Sequence, residues 1–171
     1  MAFSSLAEID SYMKENTCEF WEAVIREEAR DSQQPEMDIV NRMTQMYRAM
    51  KEADEAYDDT LTSHSGLSGK NGKKMADYAA THKCMCGEFG GAVMARAIKM
   101  AESNACMKRI VAAPTAGSCG VVPAILITYE RMTNTSENDM VKALFVAAGI
   151  GDVIARRALY ALSSRSREAE V

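Results

Sequence analysis

Apolar side chains recur at intervals of three and four residues in the stretch that follows Pro35. The set comprises Ile39, Met43, Met46, Tyr47 and Met50, and this spacing places them on one face of an α-helix. Proline is tolerated in the first turn of a helix, so Pro35 marks the predicted start. A methionine-rich stripe of this kind is typical of a core or subunit contact, and the acidic run 52–59 beyond it indicates a solvated face.

The same periodicity predicts further helices along the chain. Ser5 and Glu8 have the spacing of a capping box before a first helix, and others are expected near 19–30, 74–102, 121–131 and 140–157. No segment reads convincingly as a strand. The composition, 47% hydrophobic but only 6% aromatic with 13 Met and 3 Pro, favours helices packed through small and flexible side chains. The sequence therefore predicts an all-α fold with a single helical domain.

Charge and cysteine content narrow the function classes. The formal net charge of −4 offers no electrostatic basis for binding nucleic acid or an anionic membrane. No apolar run approaches the roughly 18–20 residues of a membrane-spanning helix, and the N-terminus has no signal-peptide core. Five cysteines without a regular framework are typical of a reducing compartment. We expect a cytoplasmic protein that binds neither nucleic acid nor membrane.

Two other segments carry polar groups that suggest sites. The stretch Thr62–Lys73 is rich in hydroxyls and glycines, so it is either a plain connector or a loop that binds a small polar ligand. Its one histidine, His64, is expected to be solvated rather than to act as a base.

His82, Cys84 and Cys86 are expected within a helix, and a Cys-x-Cys spacing without a second pair is a poor structural zinc site. Gly87, Gly90 and Gly91 predict a helix break or a close approach of another element.

The stretch Asn104–Pro123 places a thiol between a turn of small residues and a new apolar helix. Gly117 and Gly120 allow close approach of the backbone to a ligand, and Cys119 would lie at the helix N-terminus. The positive end of the helix dipole favours a thiolate there, so we expect Cys119 to be the fastest of the five thiols to alkylate. A metal or cluster ligand and a small buried cysteine in a tight turn both remain open.

The run "NACM…VAAPTAGSCGVVPA" from Asn104 to Ala124 resembles the alpha chain of iron–sulfur L-serine dehydratases (L-serine ammonia-lyases). The resemblance implies that Cys119 is the first cysteine ligand of a 4Fe–4S cluster. It also implies two substrate-binding segments, the second of which is similar to the family's "SGLTGG" loop and suits a carboxylate. These segments are Pro114, Thr115, Ala116, Gly117 and Ser118, and Ser65, Gly66, Ser68 and Gly69.

The implied reaction is the conversion of L-serine to pyruvate and ammonia, a lyase step of amino-acid catabolism and gluconeogenesis. An open iron of the cluster would act as a Lewis acid on the substrate hydroxyl. The family's beta chain, with its "SSHT"-like segment, would supply the rest of the machinery. We therefore expect L-serine as substrate, a beta-chain partner, and a homo- or hetero-oligomer; the catalytic base is not identified.

The resemblance extends over 1–158, which we interpret as an incomplete alpha-chain catalytic domain, and ends before a divergent tail at 159–171. In the family a segment like "SISGAEGGCQAEVG" follows and carries the second cluster cysteine. With one of three ligands, this chain is expected to be inactive alone and to expose apolar surface around 121–157 that promotes aggregation. Two alternatives stay open: a non-catalytic binding or assembly protein derived from the family, and a helical bundle that oligomerises through its methionine stripe.

Overall fold

The computed structural model describes residues 3–113 and 115–168, and the side chains up to residue 158. Its helices are α1 (Leu6–Asn16), α2 (Phe20–Ser32), α3 (Glu36–Glu55), α4 (Asn71–Ala79), α5 (Gly87–Ala105), α6 (Val121–Thr133) and α7 (Glu137–Glu168), with a 3₁₀ turn at Ala116–Ser118. None of the described residues is in a strand, so the prediction of an all-α fold is confirmed. Pro114, part of a predicted substrate segment, lies outside the described residues.

The chain divides into two compact units, Met1–Met43 with Val141–Val171, and Thr44–Met140. In the first unit, Ile9, Ala23 and Val153 form a small core against which Phe3, Tyr12, Met13, Cys18 and Phe20 pack. Helix α1 begins as predicted, because the Ser5 hydroxyl accepts from the Glu8 amide at 3.2 Å. The Glu8 carboxylate instead accepts from the amide and hydroxyl of Ser4, one residue before the cap.

The second unit contains both predicted substrate segments and Cys119. Helix α5 packs against both α4 and α6. The start of α6 lies so close to α5 that a Cβ on Gly120 would be 2.6 Å from the Ala97 carbonyl oxygen. In α3, Tyr47 and Met50 are buried as the stripe predicts, but Met46 is 42% exposed. The buried face of α3 is therefore narrower than the apolar stripe in the sequence.

The structure has two helices in a segment that was predicted to form one. The periodicity favoured a single helix over 74–102, whereas α4 ends at Ala79 and α5 starts at Gly87. His82 and Gly87 both have positive φ, 57° and 73°, and Gly87 adopts this left-handed conformation without a Cβ penalty. The reversal brings Gly91 of α5 against α4, 3.1 Å from the Ala79 Cβ if a Cβ is added. Cys84 and Cys86 thus lie in a connection, not in a helix.

Helix α6 forms where it was predicted and ends at Thr133, followed by Asn134 in a left-handed conformation. Val121, Ile125, Tyr129 and Met132, spaced by three or four residues along α6, are exposed, as expected for apolar surface in this segment. Helix α7 is longer than the predicted 140–157. Across residues 3–113 and 115–168, no helix is long and apolar enough to cross a membrane.

Candidate functional site

The predicted substrate segment that contains Ser65 and Gly69 forms a closed turn between α3 and α4, here named loop A (Ser63–Gly69). The Ser63 amide donates to the Ser68 carbonyl at 2.7 Å, and the Gly66 amide donates to the Ser63 carbonyl at 2.8 Å. The Ser63 hydroxyl also accepts from the Ser68 amide at 3.1 Å and lies 3.1 Å from the Ser65 hydroxyl. Ser63, which the sequence analysis did not single out, therefore closes the loop. Ser65 and Gly66 are exposed, and Ser68 and Gly69 are half-buried.

The two glycines of loop A serve different purposes. Gly66 has a φ of +74° and open space where a Cβ would be, so only its backbone conformation requires glycine. Gly69, with a φ of +143°, packs directly on the preceding chain, because a Cβ there would be 2.5 Å from the Leu61 carbonyl oxygen. At Gly69, loop A is therefore in close contact with the backbone of Leu61, just before the loop.

A buried carboxylate holds the chain where loop A ends. Glu102 of α5, 4% exposed, accepts from the amides of Asn71 and Gly72 at 2.7 and 3.0 Å and from the Tyr57 hydroxyl at 2.8 Å. Burial by itself raises the pKa of Glu102, but these donors outweigh it and the pKa lies below its ordinary value. Burial and the neighbouring Glu102 raise the pKa of Tyr57 to about 12. At neutral pH Glu102 is therefore an ionised carboxylate whose hydrogen-bond donors are neutral.

The other predicted substrate segment, before α6, contains the 3₁₀ turn; its part Thr115–Cys119 is here named loop B. The Thr115 hydroxyl accepts from the Ser118 amide at 3.2 Å, and the Ser118 hydroxyl accepts from the Thr115 amide at 3.3 Å. The two hydroxyls are themselves 2.9 Å apart. Asn104 of α5 donates its side-chain amide to the Ala116 carbonyl at 3.0 Å. Thr115, Ala116 and Gly117 are exposed and Ser118 is half-buried, so most of loop B faces outward.

Both loops are anchored at the same end of α5. Glu102 holds the residues after loop A and Asn104 holds loop B, two positions apart near the C-terminal end of the helix. Each loop exposes hydroxyls and main-chain groups, which suit a small polar ligand such as a carboxylate. The only imidazole on either loop belongs to His64, which is exposed. The arrangement fits binding and orientation of a ligand better than proton transfer.

Cys119 lies directly before α6, as predicted, but its surroundings differ from the expectation. The thiol is 1% exposed and packs with Ala53 and Met100, with Ile110 beside them. Burial raises the pKa of Cys119, so the expectation of a thiolate favoured by the helix dipole is wrong. Desolvation disfavours the charged form more strongly than one helix end favours it. The interpretation as a small buried cysteine in a tight turn describes this structure better.

The burial of Cys119 reverses the expected order of thiol reactivity. Cys86 is exposed and Cys119 is buried with a raised pKa, so iodoacetamide should modify Cys86 first in the folded chain at neutral pH. A mass-spectrometric time course measures both sites in one sample. In denaturant the two rates should converge, which serves as the control. Faster modification of Cys119 than of Cys86 in the folded chain would contradict the structure.

The described residues alone do not fit an iron–sulfur cluster. Such clusters are held by several cysteine thiolates, and the described part of the chain contains no group of three or more His, Cys, Asp or Glu placed to hold a metal ion. Cys119 is enclosed by apolar side chains and is not open to a bound group in this arrangement. A cluster at Cys119 would need further ligands from outside these residues and a rearrangement that uncovers the thiol.

The lowered pKa of Glu102 gives a pH dependence with a definite sign. A carboxyl whose pKa is lower in the folded chain stabilises it above the unfolded value, near 4.5, and loses that contribution as the pH falls through the folded value. We expect the gap in unfolding free energy between wild type and Glu102→Gln to be constant near pH 7 and to shrink below about pH 4.5. Urea titrations at several pH values measure it. A gap that widens on acidification would contradict the assignment.

Comparison with known proteins agrees with the resemblance in loop B. The serine dehydratase alpha chain family model matches residues 15–163. The chain is 29% identical over 169 residues to the probable L-serine dehydratase alpha chain of Bacillus subtilis, and 29% identical over 165 residues to the L-serine dehydratase alpha chain of Peptoniphilus asaccharolyticus. These matches cover 99% and 95% of the chain.

The chain spans only 56% of the length of each of these two relatives. L-serine dehydratase 1 of Escherichia coli is 39% identical over 75 residues, which is 44% of this chain and 15% of that protein. No solved structure matches the chain significantly. Because the family model covers most of the sequence, the chain belongs to the serine dehydratase alpha chain family.

Proposed function

We propose that this chain is the alpha-chain component of an L-serine dehydratase, which converts L-serine to pyruvate and ammonia together with a beta chain. The observation that carries the proposal is the match of 99% and 95% of the chain to two alpha chains named for that activity. The arrangement of loops A and B at one end of α5 supports it, because elimination from serine requires a carboxylate and a hydroxyl held in fixed orientation.

In this proposal the two loops bind and orient the substrate. Ser65, Gly66, Ser68 and Gly69 of loop A offer hydroxyls and main-chain groups to the serine carboxylate. Thr115, Ala116, Gly117 and Ser118 of loop B, together with Pro114, form the second contact. Because the hydroxyls of Thr115 and Ser118 already cap each other's amides, loop B keeps its shape without a ligand. Such preorganisation lowers the entropy lost on binding.

The proposed cofactor is a 4Fe–4S cluster to which Cys119 gives one ligand. It follows from the family resemblance around Cys119 and from the soft thiolate chemistry that iron–sulfur clusters require. The described residues provide no second or third ligand beside Cys119, so the cluster would form only where other parts of the assembled enzyme supply them. The 171-residue chain alone is accordingly expected to be inactive.

Co-expression with a beta chain and anaerobic reconstitution with iron and sulfide tests the proposal. We expect pyruvate from L-serine, together with a cluster absorbance band, only when Cys119 and the two further cysteine ligands of the cluster are all present. Cys119→Ala should abolish both signals, whereas Cys86→Ala, the matched change of an exposed thiol, should leave both unchanged. Pyruvate formation by the isolated chain, equal in wild type and Cys119→Ala, would refute the role of Cys119. No pyruvate from any reconstituted assembly would refute the dehydratase proposal.

A further inference from the structure

We propose that Glu102 is the positioning residue of loop A: its carboxylate takes the place of a helix cap at the N-terminus of α4 and so fixes the point where loop A ends. The contribution to substrate binding rests on the proposed function, whereas the effect on the loop itself does not. Glu102 accepts from main-chain amides at Asn71 and Gly72, directly after loop A, so it acts through the backbone that it holds.

The N-terminus of α4 requires an acceptor that its own sequence does not provide. The first amides of a helix have no partner within the helix and carry partial positive charge. The capping position is occupied by Lys70, which has a φ of 68° and makes no side-chain cap hydrogen bond. Glu102, 31 residues from Asn71, meets both the Asn71 and Gly72 amides with its two carboxylate oxygens. A residue on α5 therefore performs the work of the missing local cap.

Burying the Glu102 carboxylate costs free energy that the donors around it must offset. An ionised carboxylate at 4% exposure is unfavourable unless donors surround it. Here Oε1 accepts from Asn71, and Oε2 accepts from Gly72 and from the hydroxyl of Tyr57. The three donors come from both sides of loop A, since Tyr57 precedes it and Asn71 and Gly72 follow it. The carboxylate therefore joins the entry and exit of the loop.

Steric contacts leave this part of the chain little freedom. A Cβ on Gly72 would lie 2.6 Å from the Lys99 Cγ and 3.0 Å from the Lys99 Cα, so α4 starts in direct contact with α5. Gly69 is pressed in the same way on Leu61. The exit is held at Asn71 and Gly72, and Ser63 closes the loop, so the backbone is held on both sides of the exposed Ser65. Loss of the Glu102 carboxylate would release the exit at Asn71 and Gly72 and so weaken the closure that Ser63 makes.

The same contacts indicate where a substrate carboxylate does not bind. The N-terminus of a helix is a general site for anions, but in α4 the amides of Asn71 and Gly72 are already used by Glu102. A substrate carboxylate would therefore meet loop A at its exposed turn, around Ser65 and Gly66. Removing the Glu102 carboxylate should open the α4 amides to a small external carboxylate such as formate.

Amide hydrogen exchange of the 171-residue chain, followed by mass spectrometry, tests the positioning. In Glu102→Gln we expect exchange across residues 61–72 to rise about tenfold, as charge-assisted hydrogen bonds are lost, while α6 stays protected. Glu102→Ala should show the same rise, and formate should reverse it in this variant but not in Glu102→Gln, where the side chain fills the space. Tyr57→Phe, which removes one donor and keeps the carboxylate, serves as the control with a smaller rise.

Two results would overturn the proposal. Unchanged exchange of 61–72 in Glu102→Gln would show that the loop does not depend on the carboxylate. An equal rise in every helix would show that Glu102 supports overall stability and not loop A in particular. Should Glu102→Ala fail to fold, Glu102→Gln and Tyr57→Phe decide between these outcomes.

A kinetic measurement on the assembled alpha–beta enzyme separates this inference from the proposed function. If loop A binds L-serine, Glu102→Gln should raise KM about tenfold with little change in kcat, because binding and not chemistry depends on the loop. A rise in hydrogen exchange without any change in KM supports the positioning by Glu102 and refutes loop A as the substrate site. An inactive wild-type assembly refutes the dehydratase proposal, while the exchange result still decides the role of Glu102.

Discussion

Asp54→Ala is expected to lower the unfolding free energy by about 3–5 kcal/mol, the cost of leaving one partner of a buried ion pair alone. The Asp54 side chain is 6% exposed and that of Arg96 is 15% exposed, with Arg96 Nε 2.8 Å from Asp54 Oδ1. Arg96 also donates to the Thr128 hydroxyl at 2.6 Å, so it joins α3 and α6 through α5. Without Asp54 the guanidinium would stay buried with its main counter-charge removed. Urea unfolding monitored by circular dichroism measures the loss.

Glu52→Ala is the matched control on the same helix. Glu52 lies two residues before Asp54 and pairs with Arg109 at 3.3 Å, but both side chains are mostly exposed. Exposed ion pairs contribute about 0–1 kcal/mol, so this variant should unfold almost like wild type. Similar losses for Asp54→Ala and Glu52→Ala would show that the Asp54–Arg96 pair is not buried as the structure describes.

Gly120→Ala should also destabilise the chain, by about 1–3 kcal/mol, through overpacking between α5 and α6. The new Cβ would lie 2.6 Å from the Ala97 carbonyl oxygen and 3.2 Å from the Ala97 Cα, and backbone atoms cannot rotate away as a side chain can. Relief requires α6 to move away from α5. Because Cys119 is the preceding residue, its alkylation rate should rise in the same variant. Calorimetry and thiol labelling measure the two effects.

Gly117→Ala is the control for this substitution. Gly117 is three residues earlier, and its added Cβ would meet only the Thr115 hydroxyl oxygen at 3.8 Å, an ordinary contact. We expect a change within about 0.5 kcal/mol and no change in Cys119 labelling. If both glycine variants lose the same stability, the close contact with Ala97 is not the cause of the loss in Gly120→Ala.

The helices could be predicted because each has a local signal. Ser5 caps α1, Pro35 precedes α3, and the apolar spacing in α6 marks its length. The break between α4 and α5 was only suggested by its glycines, since the left-handed backbone of His82 and Gly87 depends on the return of α5 onto α4. Met46 shows a similar limit: periodicity places a residue on a face, but only the neighbouring helices decide how wide the buried part is.

The loop conformation of the two candidate site segments was also predicted, but their environments were not. Hydroxyls and glycines identified loops A and B because such residues favour turns. Glu102 could not be assigned to loop A, because its partners at Asn71 and Gly72 are brought to it only by the packing of α4 on α5. For Cys119 the sequence reveals the helix that follows but not the apolar side chains that enclose the thiol, and these decide its pKa.

Loops A and B share their attachment to the last turns of α5, so we expect one local opening of this part of the helix to release both loops. Glu102 and Asn104 lie where helix ends fray, so a single opening of that turn removes the support of both loops together. Both loops would then lose their attachment in the same event, with one opening free energy instead of two. A ligand that favours the attached form of either loop would therefore oppose the release of the other without touching it.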